Sequence, residues 1–269
     1  MNRDYETELA ERRAMMKGWG YGAGGEERPA SDQAMGVAAP PLFGRGSGME
    51  EGGGEGRIIP LPRDFHDVAA NRDVIALMEN RKSRRLFDRE EQLTLTELSF
   101  LLWMTQGVKE IAGNAVKVTV RTVPSAGARH ALETYLFLNR VEGVQPGLYH
   151  YLAQEHKLQF MKAGKEQVWE LSAAFGGQTF FANSAAAFIW TAVPYRMEWR
   201  YQEYAQKYIL LDAGHVCQNL YLAGEALGCG VCAIGAYDQD LADRFLGLEK
   251  KSDCPKDEEF VIYAACVGR

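Results

Sequence analysis

The stretch Leu210-Leu-Asp-Ala-Gly-His-Val-Cys-Gln-Asn-Leu-Tyr-Leu-Ala-Gly-Glu-Ala-Leu227 decides the fold. Its apolar residues fall on more than one face of a helix, the pattern of a helix buried all round. The helical pattern reaches back to about Glu198, and Gly228 is its natural C-terminal stop. Residues 231–234 then form a short apolar strand, so this helix feeds directly into a sheet. His215 falls inside the helix, where a hydrogen-bonded core histidine is expected.

Working outward, residues 185–193 are a continuous apolar run and predict a buried central strand. Residues 116–123 alternate and are β-branched, and residues 135–141 form another strand. Gly143 and Pro146-Gly147 turn the chain into a strand over 148–152, with 157–161 as its hairpin partner. Residues 260–267 make the last strand. Asp73 precedes Val74, Leu77 and Met78, a helical spacing that runs to about Asn80. Thr94 and Glu97 have capping-box spacing, Leu98, Leu101 and Leu102 line the inner face of that helix, and Gly107 ends it. Shorter helices fit 166–175 and 239–245. This irregular order of helices and strands indicates an α+β fold, not the strict alternation of a doubly wound sheet.

The chain divides in two. Residues 1–57 are dense in glycine, at 18–25 and 52–56, and contain Pro40-Pro41. Ordering such a segment costs much conformational entropy, and it makes no core of its own. Trp19, Tyr21, Leu42 and Phe43 give it anchors, so an extended N-terminal arm that docks on another surface is expected. Residues 58–269 form one compact unit, and a hydrophobic content of 46% in 269 residues suffices for its core. The net charge of −6 argues against a nucleic-acid binder, which needs a wide basic face. No apolar run is long enough for a membrane span, and the charged start of the chain lacks a signal-peptide core, so a cytoplasmic location is expected. Five cysteines, odd in number and scattered late, do not make a disulfide framework.

Against that acidic background stands Arg81-Lys82-Ser83-Arg84-Arg85. Guanidinium groups grip phosphate oxygens through paired, charge-assisted hydrogen bonds, and a serine hydroxyl adds a short neutral one. This knot is the candidate anion site. Other motifs fail on context. Gly20-Tyr-Gly22-Ala-Gly-Gly25 matches a dinucleotide fingerprint, but it follows no strand and opens no apolar helix. Cys229-Gly-Val-Cys232 follows a helix instead of starting one, so buried small hydrophobes fit better than a redox dithiol. No second CxxC or HxxxH supports a metal site, and there is neither a P-loop nor a GxSxG elbow. With so little acid–base or nucleophilic apparatus, the hard chemistry of an enzyme here would come from a bound cofactor.

Four segments now fall in a specific order: Arg81-Lys-Ser-Arg-Arg-Leu-Phe87; Pro124-Ser-Ala-Gly-Ala-Arg-His130 with Glu133 and Tyr135; Gly147-Leu-Tyr-His-Tyr151; and Asp212-Ala-Gly-His-Val-Cys-Gln-Asn219 leading to Gly228-Cys-Gly-Val-Cys-Ala-Ile-Gly235. In this order and at these separations the chain resembles the nitroreductase-like flavoproteins, within them the SagB-type dehydrogenase branch. The resemblance implies an antiparallel-rich sheet flanked by helices, with the long buried helix at a homodimer interface and FMN bound between subunits. It places the FMN phosphate and ribityl chain on Arg81, Lys82 and Ser83, with Arg85 beside them. It sets Pro124, Ser125, Ala126 and Gly127 against the flavin ring of the partner subunit, and Ala233, Ile234, Gly235 and Ala236 along the flavin face near N5. Arg269 falls where relatives carry a second phosphate cation. Small residues at Gly230, Ala233 and Gly235 suit close approach of a strand to a flat ring. The arm would reach across the dimer.

The activity implied is that of an FMN-dependent oxidoreductase passing a hydride or electron pair between NAD(P)H and an electron-poor small molecule, such as a nitroaromatic or quinone. The SagB-type branch implies an alternative, oxidation of peptide thiazolines or oxazolines. Its catalytic Lys-Tyr pair is matched here by Arg200-Tyr201, with the lysine replaced. Arginine stays protonated and cannot act as a base in the manner of lysine, which counts against that alternative. A low-turnover FMN-binding protein is the third reading.

Overall fold

The structure is a computed structural model that describes Arg13 and residues 29–43, 56–65, 67–164, 167–248 and 254–269. Along the described chain the strands are β1 (Ile58–Pro60), β2 (Val108–Ala112), β3 (Val118–Arg121), β4 (Leu132–Leu138), β5 (Gly147–Leu152), β6 (Lys157–Ala163), β7 (Ala186–Ala192), β8 (Gly230–Ile234) and β9 (Phe260–Gly268). The helices are α1 (Val74–Asn80), α2 (Leu95–Gln106), α3 (Gln167–Ala174), α4 (Phe180–Asn183), α5 (Tyr195–Tyr201), α6 (Ala205–Ala226) and α7 (Gln239–Leu246).

Seven strands form one sheet in the order β1-β6-β5-β4-β7-β9-β8. Its named pairs are antiparallel, with Leu136 opposite Phe188 and Ala187 opposite Cys266. Every residue of β4 and β7 is buried, because helices cover both faces. Successive side chains alternate between the two covers. Leu136, Phe188 and Trp190 pack with Leu98 and Leu101 of α2 and with Val216 and Leu220 of α6. Phe137 and Ile189 pack with Leu171 of α3 and Phe245 of α7. β2 and β3 pair separately as a two-stranded ribbon. The α+β architecture and the antiparallel sheet flanked by helices are therefore as the sequence implied.

Local signals set the helix ends that matter for the site. Asp73 accepts hydrogen bonds from the amides of Ile75 and Ala76 and starts α1. Thr94 and Glu97 form the reciprocal capping box of α2, and Gly107 ends that helix. Gly228, at φ 73°, follows α6 in the left-handed conformation that suits glycine.

Three sequence expectations are corrected. The helix over 198–227 is two helices, α5 and α6, broken at Gln202, whose φ is 50° and ψ −129°. Nothing at 201–204 signals a break, since neither glycine nor proline is present; the side chain of Gln202 is instead held by the Pro29 carbonyl at 2.9 Å. Nor is α6 buried all round: within one chain Leu210 is 63% exposed and Leu211 50% exposed. His215 lies on this exposed face and is not a core histidine.

The described part of the arm lies on its own chain. Gln33 N–H donates to the Trp199 carbonyl, and the Trp199 indole donates to the Val37 carbonyl, each at 2.9 Å. The Tyr195 hydroxyl donates to Asp32 at 2.6 Å, and Lys256 bonds the same carboxylate at 2.9 Å. Residues 29–37 thus run along α5. The glycine-dense runs at 18–25 and 52–54 lie outside the described residues.

Candidate functional site

After α1 the chain becomes extended and lies beside β8, with Ser83 bridged to Val231 and Arg84 N–H donating to the Val231 carbonyl at 2.9 Å. An extended chain points alternate side chains to opposite sides, and this divides the basic knot. Arg84 turns inward and grips Glu225 of α6 with two hydrogen bonds, at 2.6 and 3.1 Å. The Glu225 contact raises the Arg84 pKa above its ordinary value. Arg81 lies over the Tyr221 ring, 5.2 Å from its centroid. Among the described residues no carboxylate pairs with Arg81, Lys82 or Arg85. Arg81 and Arg85 fall on the Ser83 side of the extended chain, and Lys82, of the opposite parity, is exposed; these three uncompensated cations and the serine make a donor set that fits a phosphate dianion.

Tyr221 of α6, missed by sequence reasoning, ties this segment to β8. Its hydroxyl lies 2.8 Å from Ser83 Oγ and accepts the amide proton of Ala233 at 2.9 Å. Within 233–236, Ala233 is half-buried, Ala236 is exposed, and a Cβ on Gly235 would meet only Tyr263, at 3.8 Å. The Ile234 side chain instead packs into the core with Val261 and Ala264. Gly230 is small for a different reason from the one expected: a Cβ there would lie 2.9 Å from Arg84 Cβ, so the chain itself fills that space. Arg269 pairs with Glu97 and donates to the Leu227 carbonyl at 3.2 Å. Cys229 and Cys232 are buried free thiols, and burial pushes Cys229 up to about 11, so neither is poised as a nucleophile. Among the described residues no cluster of His, Cys, Asp or Glu could hold a metal ion.

A second locus forms around the Pro124–Gly127 loop. Asp212 of α6 faces the Ser125 hydroxyl and the Ala126 amide; burial raises its pKa and outweighs the lowering effect of these two groups. Ser125 Oγ in turn accepts from His130 N–H at 2.9 Å. Gly127, at φ 56°, lies directly against α5: a Cβ there would be 2.5 Å from the Tyr201 hydroxyl and 3.0 Å from Arg200 Nη1. The fold thus brings together the loop and the Arg200-Tyr201 pair, which are far apart in sequence. Asp212 and Tyr221 share α6 nine positions apart. At 1.5 Å per residue the two loci are about 14 Å apart along one helix.

Beneath α5 lies a buried ionic network; Arg129, His130, Glu133 and His150 stood in the quoted segments, but sequence reasoning assigned them no role and did not single out Arg196. Arg196 pairs with Glu133 of β4 at 2.6 Å, and His150 of β5 meets the same carboxylate at 3.1 Å. Burial opposes ionisation of Glu133, but Arg196 and His150 prevail and hold it well below the usual carboxylate range. Burial, with Arg121 nearby, depresses His130 to about 3. Arg129 donates through Nε to the Arg196 carbonyl at 3.0 Å and stacks on the Trp199 ring at 4.9 Å. Its Nη1 and Nη2 are buried and have no hydrogen-bond partner among the described residues.

With this geometry in hand, comparison with known proteins gives the class. The model of the nitroreductase family matches residues 78–269, and the chain belongs to that family. It is an FMN-dependent oxidoreductase of the nitroreductase type. A candidate nitroreductase of Methanocaldococcus jannaschii, MJ1384, is 35% identical over 153 residues, covering 56% of this chain and 73% of that protein. The trifolitoxin-processing protein TfxB of Rhizobium leguminosarum bv. trifolii is 27% identical over 136 residues, which is 48% of this chain and 36% of TfxB. The crystal structure of a candidate nitroreductase from Ralstonia eutropha JMP134 matches with a TM-score of 0.62 at 23% identity, covering 86% of this chain and 96% of that one. That last likeness bears on the fold alone. Among the described residues no helix is long and apolar enough to cross a membrane.

Proposed function

We propose that the protein transfers a hydride or electron pair from NAD(P)H to an electron-poor small molecule, a nitroaromatic or quinone, on FMN held by the extended segment after α1. The observation that carries this reading is the set of cations at Arg81, Lys82 and Arg85, uncompensated by carboxylates and tied through Ser83 and Tyr221 to the strand bearing Ala233. Those side chains neutralise and orient a phosphate, and Ser83 supplies a neutral hydrogen bond. Arg269, engaged by Glu97, braces the end of β9 behind them. When bound, FMN supplies the redox chemistry. Ser125, Ala126 and Gly127 of the loop, with Ala233, Gly235 and Ala236, are small and leave room for a flat ring.

A second subunit completes the arrangement in this reading. α1 exposes Val74, Ile75 and Met78, and α6 exposes Leu210 and Leu211. Large apolar side chains left in water at this density mark an interface, and a homodimer would cover them.

The test is a spectrum of the purified protein followed by anaerobic titration with NADH and NADPH. A yellow protein bleached by either nicotinamide supports the proposal. A colourless protein that takes up no added FMN overturns it. A second reading, oxidation of peptide azolines, draws on the likeness to the trifolitoxin-processing protein and on the placement of Tyr201 at the loop. Flavin that NADH and NADPH leave oxidised, but an azoline peptide bleaches, would select it.

A further inference from the structure

We propose that the surface beside Tyr201 recognises its substrate through an anionic oxygen group, a carboxylate or phosphate, received by Arg200 and backed by the buried charge of Arg129. This inference rests on the reading that the Pro124–Gly127 loop borders the flavin. Arg196 is matched by Glu133 at 2.6 Å. Arg129 is only 1% exposed, and among the described residues the charged groups that act on it are Arg200 and Arg196, with the Tyr201 phenol, and no carboxylate. Its two terminal nitrogens have no hydrogen-bond partner among the described residues. Arg200 is exposed, and its guanidinium lies 5.3 Å from the centroid of the Tyr201 ring. Its Nη1 sits 3.0 Å from where a Gly127 Cβ would be, so the guanidinium lies on the loop itself.

A buried guanidinium with no carboxylate lowers stability, and an apolar side chain of similar volume would fit the same space better. The two guanidiniums act on each other electrostatically, so the charge of Arg129 is felt at Arg200. An anion arriving at Arg200 would gain paired, charge-assisted hydrogen bonds and the field of Arg129 together. The phosphate segment at Arg81 lies too far along α6 to share this pair.

The experiment uses the full-length FMN-loaded protein. Binding of para-nitrobenzoate and para-nitrobenzamide is read from the perturbation of the oxidised flavin spectrum, and NADP⁺ and NAD⁺ are compared in the same way. One anion of the two pairs should bind roughly tenfold tighter than its less charged analogue, the scale of a hydrogen-bonded charge contact. Preference within the first pair identifies a carboxylate on the acceptor; preference within the second identifies the phosphate of the nicotinamide. Arg200→Gln should reduce that preference to within about twofold while leaving flavin content and the weaker ligand's affinity unchanged, and Arg200→Lys should restore part of it. Arg129→Met should lower the preference several-fold and yet raise Tm, an outcome a purely structural arginine would not give. Equal affinities within both pairs, or an Arg200→Gln variant that weakens charged and neutral ligands alike or loses flavin, would overturn the inference. A wild-type protein that holds no FMN refutes the proposed function instead, before any ligand is added.

Discussion

Ser83 Oγ and Tyr221 Oη lie 2.8 Å apart, joining the basic segment to the long helix α6. The same phenol oxygen accepts the Ala233 amide proton at 2.9 Å, so one tyrosine sets the spacing between the phosphate-binding segment and the strand proposed to face the ring. Tyr221→Phe removes both hydrogen bonds and keeps the ring under Arg81. The expected result is a loss of about 1 to 2 kcal/mol in stability. FMN affinity should fall roughly tenfold, because Ser83 is no longer held in place. Urea unfolding and fluorescence titration of FMN measure the two effects.

Neighbouring arginines should separate cleanly. Arg84→Ala leaves Glu225, whose side chain is 13% exposed, without its cation. A loss of about 1 to 3 kcal/mol is expected, below the range for a fully buried pair because Arg84 is itself part-exposed. Arg85→Ala, on the exposed side, should change stability by less than about 0.5 kcal/mol but cost more than roughly tenfold in FMN affinity. If Arg84→Ala weakened FMN retention without destabilising the fold, the division of labour along this segment would be wrong.

Gly127 should be intolerant of any side chain. Gly127→Ala combines a left-handed backbone at φ 56° with a Cβ 2.5 Å from the Tyr201 hydroxyl. Backbone strain alone costs about 1 to 2 kcal/mol, and the clash adds to it. Gly143→Ala serves as the reference, since its φ is 71° but nothing lies within 4 Å of a new Cβ. Only the strain should appear there. Adding Tyr201→Phe to Gly127→Ala removes the clashing oxygen and should recover part of the lost stability, a positive coupling measurable in a double-mutant cycle.

Buried histidines predict acid sensitivity. His156 is wedged between the Ser99 hydroxyl and the Tyr151 hydroxyl, each at 2.7 Å, and burial lowers its pKa from 6.5 to about 4. Below pH 6.5 the unfolded chain takes up a proton that the folded chain refuses, so stability falls as pH drops from 6.5 towards 4. One such group changes stability by about 1.4 kcal/mol per pH unit, or about 2 kcal/mol between roughly pH 6.5 and 5. His130 acts in the same direction, whereas the raised carboxyls Asp212 and Glu259 titrate with the opposite sign. The readout is therefore the difference between wild type and His156→Gln. The variant should be less stable at about pH 7.5 but lose about 2 kcal/mol less over that interval. Parallel stability–pH curves would refute the assignment.

The sequence made the sheet legible because its strands are apolar runs ended by turn residues, as in 185–193, and because Thr94, Glu97 and Gly107 mark the bounds of α2 by local chemistry. It hid the break at Gln202, since neither glycine nor proline marks it and the contact made there, with the Pro29 carbonyl, comes from far away in sequence. Composition marked the basic knot as an anion site, but only the extended backbone beside β8 showed that Arg84 faces inward. Tyr221 belonged to no motif, and Arg129, though inside the Pro124–His130 segment, had no role assigned. A tyrosine in an apolar helix and an arginine after a loop look ordinary until the fold sets Ser83 against one and Trp199 against the other. Asp212 stood within a recognised segment, yet its role as the anchor of Ser125 and Ala126 depends on a contact with a loop far back along the chain.

The strap over α5 also bears on how the molecule is made. Asp32 meets Tyr195 and Val37 meets Trp199 across sequence separations of 163 and 162. Contacts that distant form late and slowly in a renaturing polypeptide, after local hairpins such as β5–β6. During synthesis the strap leaves the ribosome long before its helix does, and must wait for it. Secondary structure should return early when denatured protein is diluted into buffer, with the support beneath Arg200 and Tyr201 completed only at the end.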